Sequence, residues 1–316
     1  MKNKIIAAAT LALCAVLGAG APTAQERETE PRVLFVTHGA ATDGFWGEVK
    51  RGAEAAAADL GVAVEYRAPE TFDVAAMARL IDEAAAERPD GLVVSVPDAD
   101  ALAPHIRAAA DLGIPVIGVN SGMDVSASLG AKLHVGQNEY DSGRAAGERM
   151  REAGGKRAVC VNHQLGNIAL DLRCKGFIDG FGGSVEVLSV PRDAPKIRDA
   201  LAERLAAAES IDVVLALGAA TAGEPVLEAV AASGRPDRIR FATFDVTEPV
   251  LRAVAEGRAA FAIDQQPFLQ GYLPVQFLAL LAREGVIPVS SVRSGPMLVG
   301  AEEARARLER TAPGEP

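Results

Sequence analysis

The residues of this chain that could carry chemistry stand just after apolar runs that have the composition of buried strands. His38 ends the first such run, and Asp43, Phe45 and Trp46 follow it at the predicted start of a helix. A rigid aromatic pair beside a histidine and a carboxylate can form one wall of a small polar binding site. The alternative interpretation is that Phe45 and Trp46 only cover the sheet.

Side chains that form directed hydrogen bonds also follow the later apolar runs. The candidates, beside those named above, are Asn120, Ser121, Asn167, Arg173, Asp245 and Gln265. Amides and carboxylates bond to hydroxyl groups, and a guanidinium donates from a planar fork. Because ligands of open parallel sheets bind at the carboxyl ends of the strands, this set predicts a site for a neutral, polyhydroxylated ligand.

Several of these candidates have a purely structural alternative. Asn120 could close its own loop, Asp245 could cap the next helix, and Arg173 could be a solvated helix residue. Asp98 is better interpreted as a helix cap than as a ligand contact. These alternatives stay open at the level of sequence.

The known catalytic and metal-binding patterns are missing from the sequence. It has no G-x-S-x-G elbow, no Walker loop, no H-E-x-x-H and no G-x-G-x-x-G after the first strand. His38, His134 and His163 lack metal-ligand spacing. Each is interpreted as a loop histidine with its hydrogen bonds satisfied, and His38 is also a contact candidate. An exported hydrolase or isomerase would need a paired base and nucleophile, so we expect binding without catalysis, cofactor or metal.

Length, charge and the first residues narrow the class of protein further. The 316 residues favour about two domains, and a net charge of −10 disfavours nucleic acid as a partner. A basic start, an apolar run over 5–17 and small residues up to Ala24 predict a signal peptide over 1–24. Cys14 lacks the small preceding residue of a lipoprotein signal. We therefore expect a monomer exported to the periplasm without a lipid anchor.

Two cysteines, Cys160 and Cys174, would remain after export. An oxidising compartment favours a disulfide between them, since they lie at a predicted strand end and on the following helix. The alternative is a pair of small buried hydrophobic residues.

Apolar runs alternate in the order strand, helix, strand through most of the chain. Four such units precede Gly136, and a second series starts near Ala158. This pattern predicts an α/β protein with two doubly wound parallel sheets. The boundary between the two halves lies near Gly136. The chain is expected to cross back to the first half near Gln265, because the helix that follows Gln265 has no strand partner left in the second half. The charged tail after Ala301 predicts a frayed end.

Several short segments together resemble periplasmic sugar-binding proteins of the ribose/galactose-binding type, the soluble receptors of ABC importers. The similarity covers roughly residues 32–300 and rests on the order of Phe45-Trp46, Gly113-Ile114-Pro115-Val116-Ile117 before Asn120, Arg173-Cys174-Lys175-Gly176-Phe177, Phe244-Asp245, and Gln265-Gln266-Pro267.

The resemblance implies two similar lobes joined by a hinge, with the ligand in the cleft between them. The lobes would comprise 32–135 plus 266–290 and 136–265 plus 291–312. Phe45 and Trp46 would stack on the sugar. The resemblance also assigns a polar loop residue, a cleft arginine, a cleft acid and a hinge glutamine, which correspond here to Asp43, Arg173, Asp245 and Gln265.

The chain departs from the family pattern at three places. It has Asn120-Ser121 where relatives often carry Asp-Arg, Val96 where many carry Asn, and Gly218-Ala219 where many carry Asn-Asp. These losses of hydrogen-bonding groups extend the candidate ligands to a polyol, a deoxy sugar or a furanone-like signal molecule.

The predicted function is capture of a small carbohydrate-like ligand for delivery to an inner-membrane ABC permease. The alternative is a periplasmic sensor that presents a sugar or furanone-like signal to a chemoreceptor or sensor kinase. A sugar-responsive repressor is disfavoured, because a signal peptide stands where a DNA-binding module would be.

Overall fold

Strands and helices alternate along the part of the chain that the computed structural model describes, residues 30–40 and 42–311. The strands are β1 (Arg32–Val36), β2 (Ala63–Arg67), β3 (Gly91–Ser95), β4 (Val116–Val119), β5 (Leu133–Gly136), β6 (Arg157–Asn162), β7 (Ser184–Ser189), β8 (Val213–Ala216), β9 (Arg240–Phe244), β10 (Phe261–Asp264), β11 (Val292–Arg293) and β12 (Met297–Val299). The helices are α1 (Gly44–Leu60), α2 (Val74–Ala86), α3 (Ala99–Asp111), α4 (Glu139–Glu152), α5 (Ile168–Phe181), α6 (Ala194–Ala207), α7 (Glu224–Ala232), α8 (Glu248–Ala255), α9 (Pro267–Glu284) and α10 (Ala301–Thr311). The predicted signal peptide over 1–24 and residue 312, the predicted end of the second lobe, lie outside the described residues.

The strands form two six-stranded sheets, one in each lobe. Their orders are β11-β5-β4-β3-β1-β2 and β12-β10-β9-β8-β6-β7. All pairings are parallel except that of β10 with β12. The predicted fold class, two doubly wound parallel-sheet lobes, is confirmed.

Both faces of each sheet are covered, which explains why the central strands are continuous apolar runs rather than alternating ones. In β1, Val33 and Phe35 face the core under α1 and α9, whereas Leu34 and Val36 face the core under α2 and α3. Successive side chains of a strand point to opposite faces, so each apolar run supplies two cores at once.

Helix α9 lies in the first lobe, although it follows the last parallel strand of the second. It packs closely on α1, since a Cβ added at Gly271 would come within 1.9 Å of the carbonyl oxygen of Val49. The crossing expected near Gln265 is therefore present. The chain then returns once more to the first sheet, where Val292–Arg293 pairs with β5, before it enters β12 of the second sheet. Strand pairing thus places residues 292–293 with the first lobe, just beyond the boundary expected at 290; the lobe ranges themselves remain a prediction.

Helices α4 and α5 of the second lobe pack closely enough to exclude a side chain between them. A Cβ added at Gly143 would lie 2.1 Å from the carbonyl oxygen of Arg173. Cys174, the next residue on α5, forms a disulfide with Cys160 of β6, with Cα atoms 5.9 Å apart. The predicted disulfide is confirmed. It ties α5, the helix that carries Arg173, to strand β6.

The expectation of a frayed tail after Ala301 is wrong for residues 301–311, which form α10. Ala304 is fully buried against the second lobe, and the guanidinium of Arg307 donates to the Asp264 carboxylate at 2.7 Å. Tertiary packing thus orders a segment whose composition alone predicts disorder.

None of the described helices is both long enough and apolar enough to cross a lipid bilayer.

Candidate functional site

A cavity of about 710 Å³ lies between the two lobes, at the carboxyl ends of the parallel strands. Its volume is within the usual range for a small-molecule site. Nine of the ten predicted ligand residues line it: His38, Asp43, Phe45, Trp46, Asn120, Asn167, Arg173, Asp245 and Gln265. Ser121 is not among the lining residues. It is fully buried, and its hydroxyl lies 3.1 Å from Oδ1 of Asn120 and 3.4 Å from Oδ1 of Asn167.

Trp46 and Phe45 form the aromatic wall of the first lobe. Trp46 is only 6% exposed and belongs to the core as well as to the cavity. Its indole lies on the backbone of Gly39, where an added Cβ would come within 2.0 Å of the ring. Phe45 packs edge-to-face against Trp46, with ring centroids 5.2 Å apart. Core packing and a place in the ligand wall were alternatives for Trp46 at the level of sequence; in the structure it belongs to the core and also lines the cavity.

Asp43 has two partners, one in each lobe. Its Oδ1 accepts from the backbone N–H of Phe45 at 2.9 Å and so caps α1. Its Oδ2 pairs with the guanidinium of Arg192, which follows β7 in the second lobe and also reaches Thr221 Oγ1 at 3.4 Å. The carboxylate therefore links the lobes at the cavity.

Arg173 is the buried cation of the site, and Glu139 holds it in place. Its Nε and Nη2 donate to the two carboxylate oxygens of Glu139 at 2.6 and 3.1 Å, and its Nη1 donates to the carbonyl of Leu217 at 2.9 Å. The guanidinium also lies over the Phe244 ring, 4.4 Å from the centroid. Burial opposes the charge of Arg173, but the Glu139 carboxylate outweighs it and raises the arginine's pKa. Three of the five guanidinium N–H groups are used within the protein, which leaves two for a ligand.

The close packing of α4 and α5 explains this geometry. Glu139 and Gly143 lie one turn apart on the same face of α4. Gly143 lets the backbone of Arg173 approach, and Glu139 then meets its guanidinium. Breaking such a buried pair would leave one charge without a partner, which typically costs about 3–5 kcal/mol.

A row of hydrogen bonds along one side of the cavity joins Asp245, Gln265 and Asn120. Gln265 Nε2 donates to Asp245 Oδ1 at 2.5 Å, and Asn120 Nδ2 donates to Gln265 Oε1 at 3.4 Å and to Gln270 Oε1 at 3.2 Å. Both Asn120 and Asp245 have left-handed backbone angles, with φ of 60° and 66°. Non-glycine residues in this conformation are uncommon and cluster at functional sites.

Asp245 lines the cavity, and its carboxyl group is partly accessible from there. Burial raises the pKa of Asp245 to about 7, although Arg173 and the hydrogen bond from Gln265 both oppose the shift. Asp245 therefore changes protonation near neutral pH and can donate or accept there.

Hydrogen bonds cross directly from one lobe to the other. Asn167, which caps α5, donates from Nδ2 to Nε2 of His38 at 3.2 Å. The backbone N–H of Ile168 donates to the carbonyl of Pro97 at 2.9 Å. With the pair between Asp43 and Arg192, these contacts describe a closed arrangement of the lobes.

The ring nitrogens of His38 are both engaged within the protein. Nε2 accepts from Asn167, and Nδ1 lies 2.9 Å from the hydroxyl of Ser95. Burial, with smaller contributions from Arg192 and Arg173, lowers the pKa of His38 to about 3. His38 thus lies at the cavity, with Nε2 bonded to the second lobe and Nδ1 bonded within the first.

Three residues of the site are missing from the set predicted by sequence: Glu139, Arg192 and His163. Arg192 follows a predicted strand end, so the rule that found Asp245 could have found it. Glu139 follows β5, after which the chain first passes to the second lobe, and only the packing of α4 on α5 shows its partner. His163 was interpreted as a loop histidine with its hydrogen bonds satisfied, but Nδ1 of His163 is buried without a partner among the described residues. No group of acidic, histidine or cysteine side chains among the described residues could hold a metal ion.

Comparisons with known proteins agree with this architecture. The family model described as periplasmic binding protein domain matches residues 33–285. A carbohydrate transporter from Acidothermus cellulolyticus, solved in complex with myo-inositol, is 34% identical, with a TM-score of 0.84 over 89% of this chain and 98% of that one. An ABC sugar transporter, a periplasmic sugar-binding protein from Legionella pneumophila, is 26% identical, with a TM-score of 0.78 over 85% of this chain and 100% of that one. A xylose/arabinose-binding protein from Sulfolobus acidocaldarius is 23% identical over 82% of this chain and 68% of that one. The chain therefore belongs to the periplasmic binding protein family and is a binding protein rather than an enzyme.

Proposed function

We propose that this protein binds one small polyhydroxylated ring, a sugar or cyclic polyol, between its lobes and delivers it to an ABC importer. The observation that carries the proposal is the opposition of an aromatic wall to a fixed polar wall. Phe45 and Trp46 line the cavity on one lobe, and Arg173 and Asp245 line it on the other. A ring with apolar faces and polar edges matches both walls.

The similarity to known proteins supports the same ligand class. The relative that is 34% identical was solved with myo-inositol, a cyclic polyol. This ligand is consistent with the departures of the chain at Asn120-Ser121 and Gly218-Ala219 from the pattern of ribose/galactose-binding proteins. A cyclic polyol, a pentose or a deoxy sugar remains the proposed set, and myo-inositol is the first candidate.

Periplasmic location and delivery complete the proposal. The predicted signal peptide over 1–24 would export the chain, and an inner-membrane permease would receive the closed, loaded form. We propose that the lobes, 32–135 plus 266–290 and 136–265 plus 291–312, move as units about the three crossings. The sensor alternative would be indicated by capture of a chemoreceptor or sensor kinase, rather than a permease, with the loaded protein.

The test is calorimetric titration of the purified mature protein with myo-inositol, D-xylose, D-arabinose and D-allose. At least one should bind with one site per chain and a Kd on the order of 1 μM or tighter. Arg173→Lys, which keeps the charge and loses the planar fork, should weaken binding by at least about tenfold. Arg204→Lys is the matched control, because Arg204 pairs with Glu186 on the surface of the second lobe. If none of these compounds binds at millimolar concentration, the proposed ligand class is wrong.

A further inference from the structure

His163 lies in the loop after β6 and lines the cavity on the second lobe. It is 8% exposed. The Cε1–Nε2 edge of its ring faces Gly218, where an added Cβ would come within 3.1 Å of Cε1 and 3.5 Å of Nε2. A side chain at position 218 would therefore press on the edge of the His163 ring.

The hydrogen bonds of His163 differ from those of the other three histidines. Both ring nitrogens of His38 and of His134 have protein partners, and His105 lies on the surface beside Asp82. Nδ1 of His163 is buried without a partner among the described residues. Nε2 has no protein partner there either, and it is not enclosed as Nδ1 is, so it is the ring nitrogen open to the cavity.

The protonation state of His163 follows from its surroundings. Burial, assisted by the positive charges of Arg192 and Arg173, lowers the pKa of His163 to about 3. The ring is therefore neutral at physiological pH and carries one N–H. A buried N–H without an acceptor is rarer in proteins than a buried acceptor without a donor. The proton is accordingly expected on Nε2, which faces the cavity, and not on the enclosed Nδ1.

We propose that His163 is a specificity residue of the cavity, whose Nε2–H donates to an oxygen of the bound ligand. The proposal rests on the proposed function, since it assumes a polyhydroxylated ligand between the lobes. Gly218 provides the space that lets the ring edge face that ligand. The ligand must then present an acceptor oxygen at this point, and an analogue without that oxygen leaves the donor unpaired and is rejected.

The polar groups of the cavity differ in whether they are free to bond to a ligand. Most polar groups of the cavity already have protein partners: Asp43 pairs with Arg192, Arg173 with Glu139, and Gln265 with Asp245. His163 is a neutral group of the cavity whose ring nitrogens have no partner among the described residues. It therefore makes a full hydrogen bond available to the ligand without first breaking one within the protein.

Substitutions can separate the two ring nitrogens. The side-chain nitrogen of glutamine reaches the position of Nε2, whereas that of asparagine lies near the position of Nδ1. We expect His163→Gln to bind the myo-inositol probe, or the best ligand of the panel, within about threefold of wild type. His163→Asn and His163→Leu should both lose about tenfold, the value of one hydrogen bond. His105→Leu is the matched surface control and should leave the affinity unchanged.

A second variant keeps the histidine and moves it. Gly218→Ala places a methyl group against the ring edge, at a position whose backbone is extended and accepts any residue. It should also weaken binding, with an unchanged thermal melt. Equal affinity of His163→Leu and wild type would overturn the inference and leave the proposed function intact. Failure of wild type to bind any compound of the panel would instead overturn the proposed function.

Nitrogen-15 NMR reports the protonation of the histidine rings before any ligand is added, and the effect of a ligand on them afterwards. Four histidines give a simple spectrum. His163 should show a neutral ring with the proton on Nε2 down to about pH 5, and its Nε2 resonance should shift on addition of the ligand. A proton on Nδ1, or a ring that becomes charged near pH 6.5, would contradict the proposal.

Discussion

Replacement of Asp245 by asparagine should stabilise the protein at alkaline pH while it weakens ligand binding. Burial raises the pKa of this carboxyl group from its ordinary value of 3.8 to about 7. A folded-state pKa above the unfolded value means that the folded protein holds a proton that the unfolded chain releases. The resulting stability is complete below about pH 4 and is lost as the pH rises through about 7.

The size of the effect follows from the shift. Three pKa units correspond to about 4 kcal/mol at 1.36 kcal/mol per unit, which is an upper bound. Because the carboxyl group is partly accessible from the cavity, water stabilises its charged form, and we expect about 1–2 kcal/mol. Asp245→Asn removes this cost. Its backbone should persist, because asparagine tolerates the left-handed conformation that Asp245 adopts, with φ of 66°.

The assay is urea unfolding of wild type and Asp245→Asn at pH 3.5 and pH 8. The free energies of unfolding should nearly coincide at pH 3.5, and the variant should be more stable by about 1–2 kcal/mol at pH 8. Asp82→Asn is the matched control, because Asp82 is an exposed carboxylate beside His105. A variant that is no more stable than wild type at pH 8 would refute the reasoning. Ligand affinity should fall in the same variant, so the substitution gains stability and loses function.

Three further predictions concern the closed form, the disulfide and the aromatic wall. Asp43→Asn keeps the helix cap but weakens the link to Arg192, so the ligand should dissociate a few-fold faster. A double-mutant cycle with Arg192→Met should give a coupling energy of about 0.5–1 kcal/mol. Additive effects of the two substitutions would contradict the link. Replacement of Cys160 and Cys174 by serine opens a loop with a sequence separation of 14 and should cost about 3 kcal/mol of unfolding free energy, measured in urea. Trp46 is the only tryptophan, so its fluorescence should change on ligand binding, and binding seen by calorimetry without that change would place the ligand elsewhere.

Much of the fold was predictable, because each lobe is built from local patterns. Continuous apolar runs identify parallel strands buried on both faces, and β1 shows why, since its alternate residues enter two different cores. The tail after Ala301 was not predictable in this way. Its charged composition predicts fraying, and only the buried Ala304 and the ion pair of Arg307 with Asp264 account for α10.

The position of the site was predictable, but the partners within it were not. Asn120 and Asp245 directly follow β4 and β9, so the rule that ligands bind at the carboxyl ends of parallel strands identifies both as cavity residues. Sequence does not show that Arg192 would reach Asp43 from the other lobe. Nor does it show which histidine keeps its nitrogens free, since that depends on hydrogen bonds between residues far apart in the chain.

The central claim is that a polyhydroxylated ring binds between the two lobes. The most direct measurement is a crystal structure of the mature protein with the tightest ligand found by calorimetry. We expect the ring to lie against Phe45 and Trp46, with its oxygens on Arg173, Asp245 and Nε2 of His163. A ligand bound outside the interlobe cavity, or a ring that contacts neither Arg173 nor Asp245, would contradict the account.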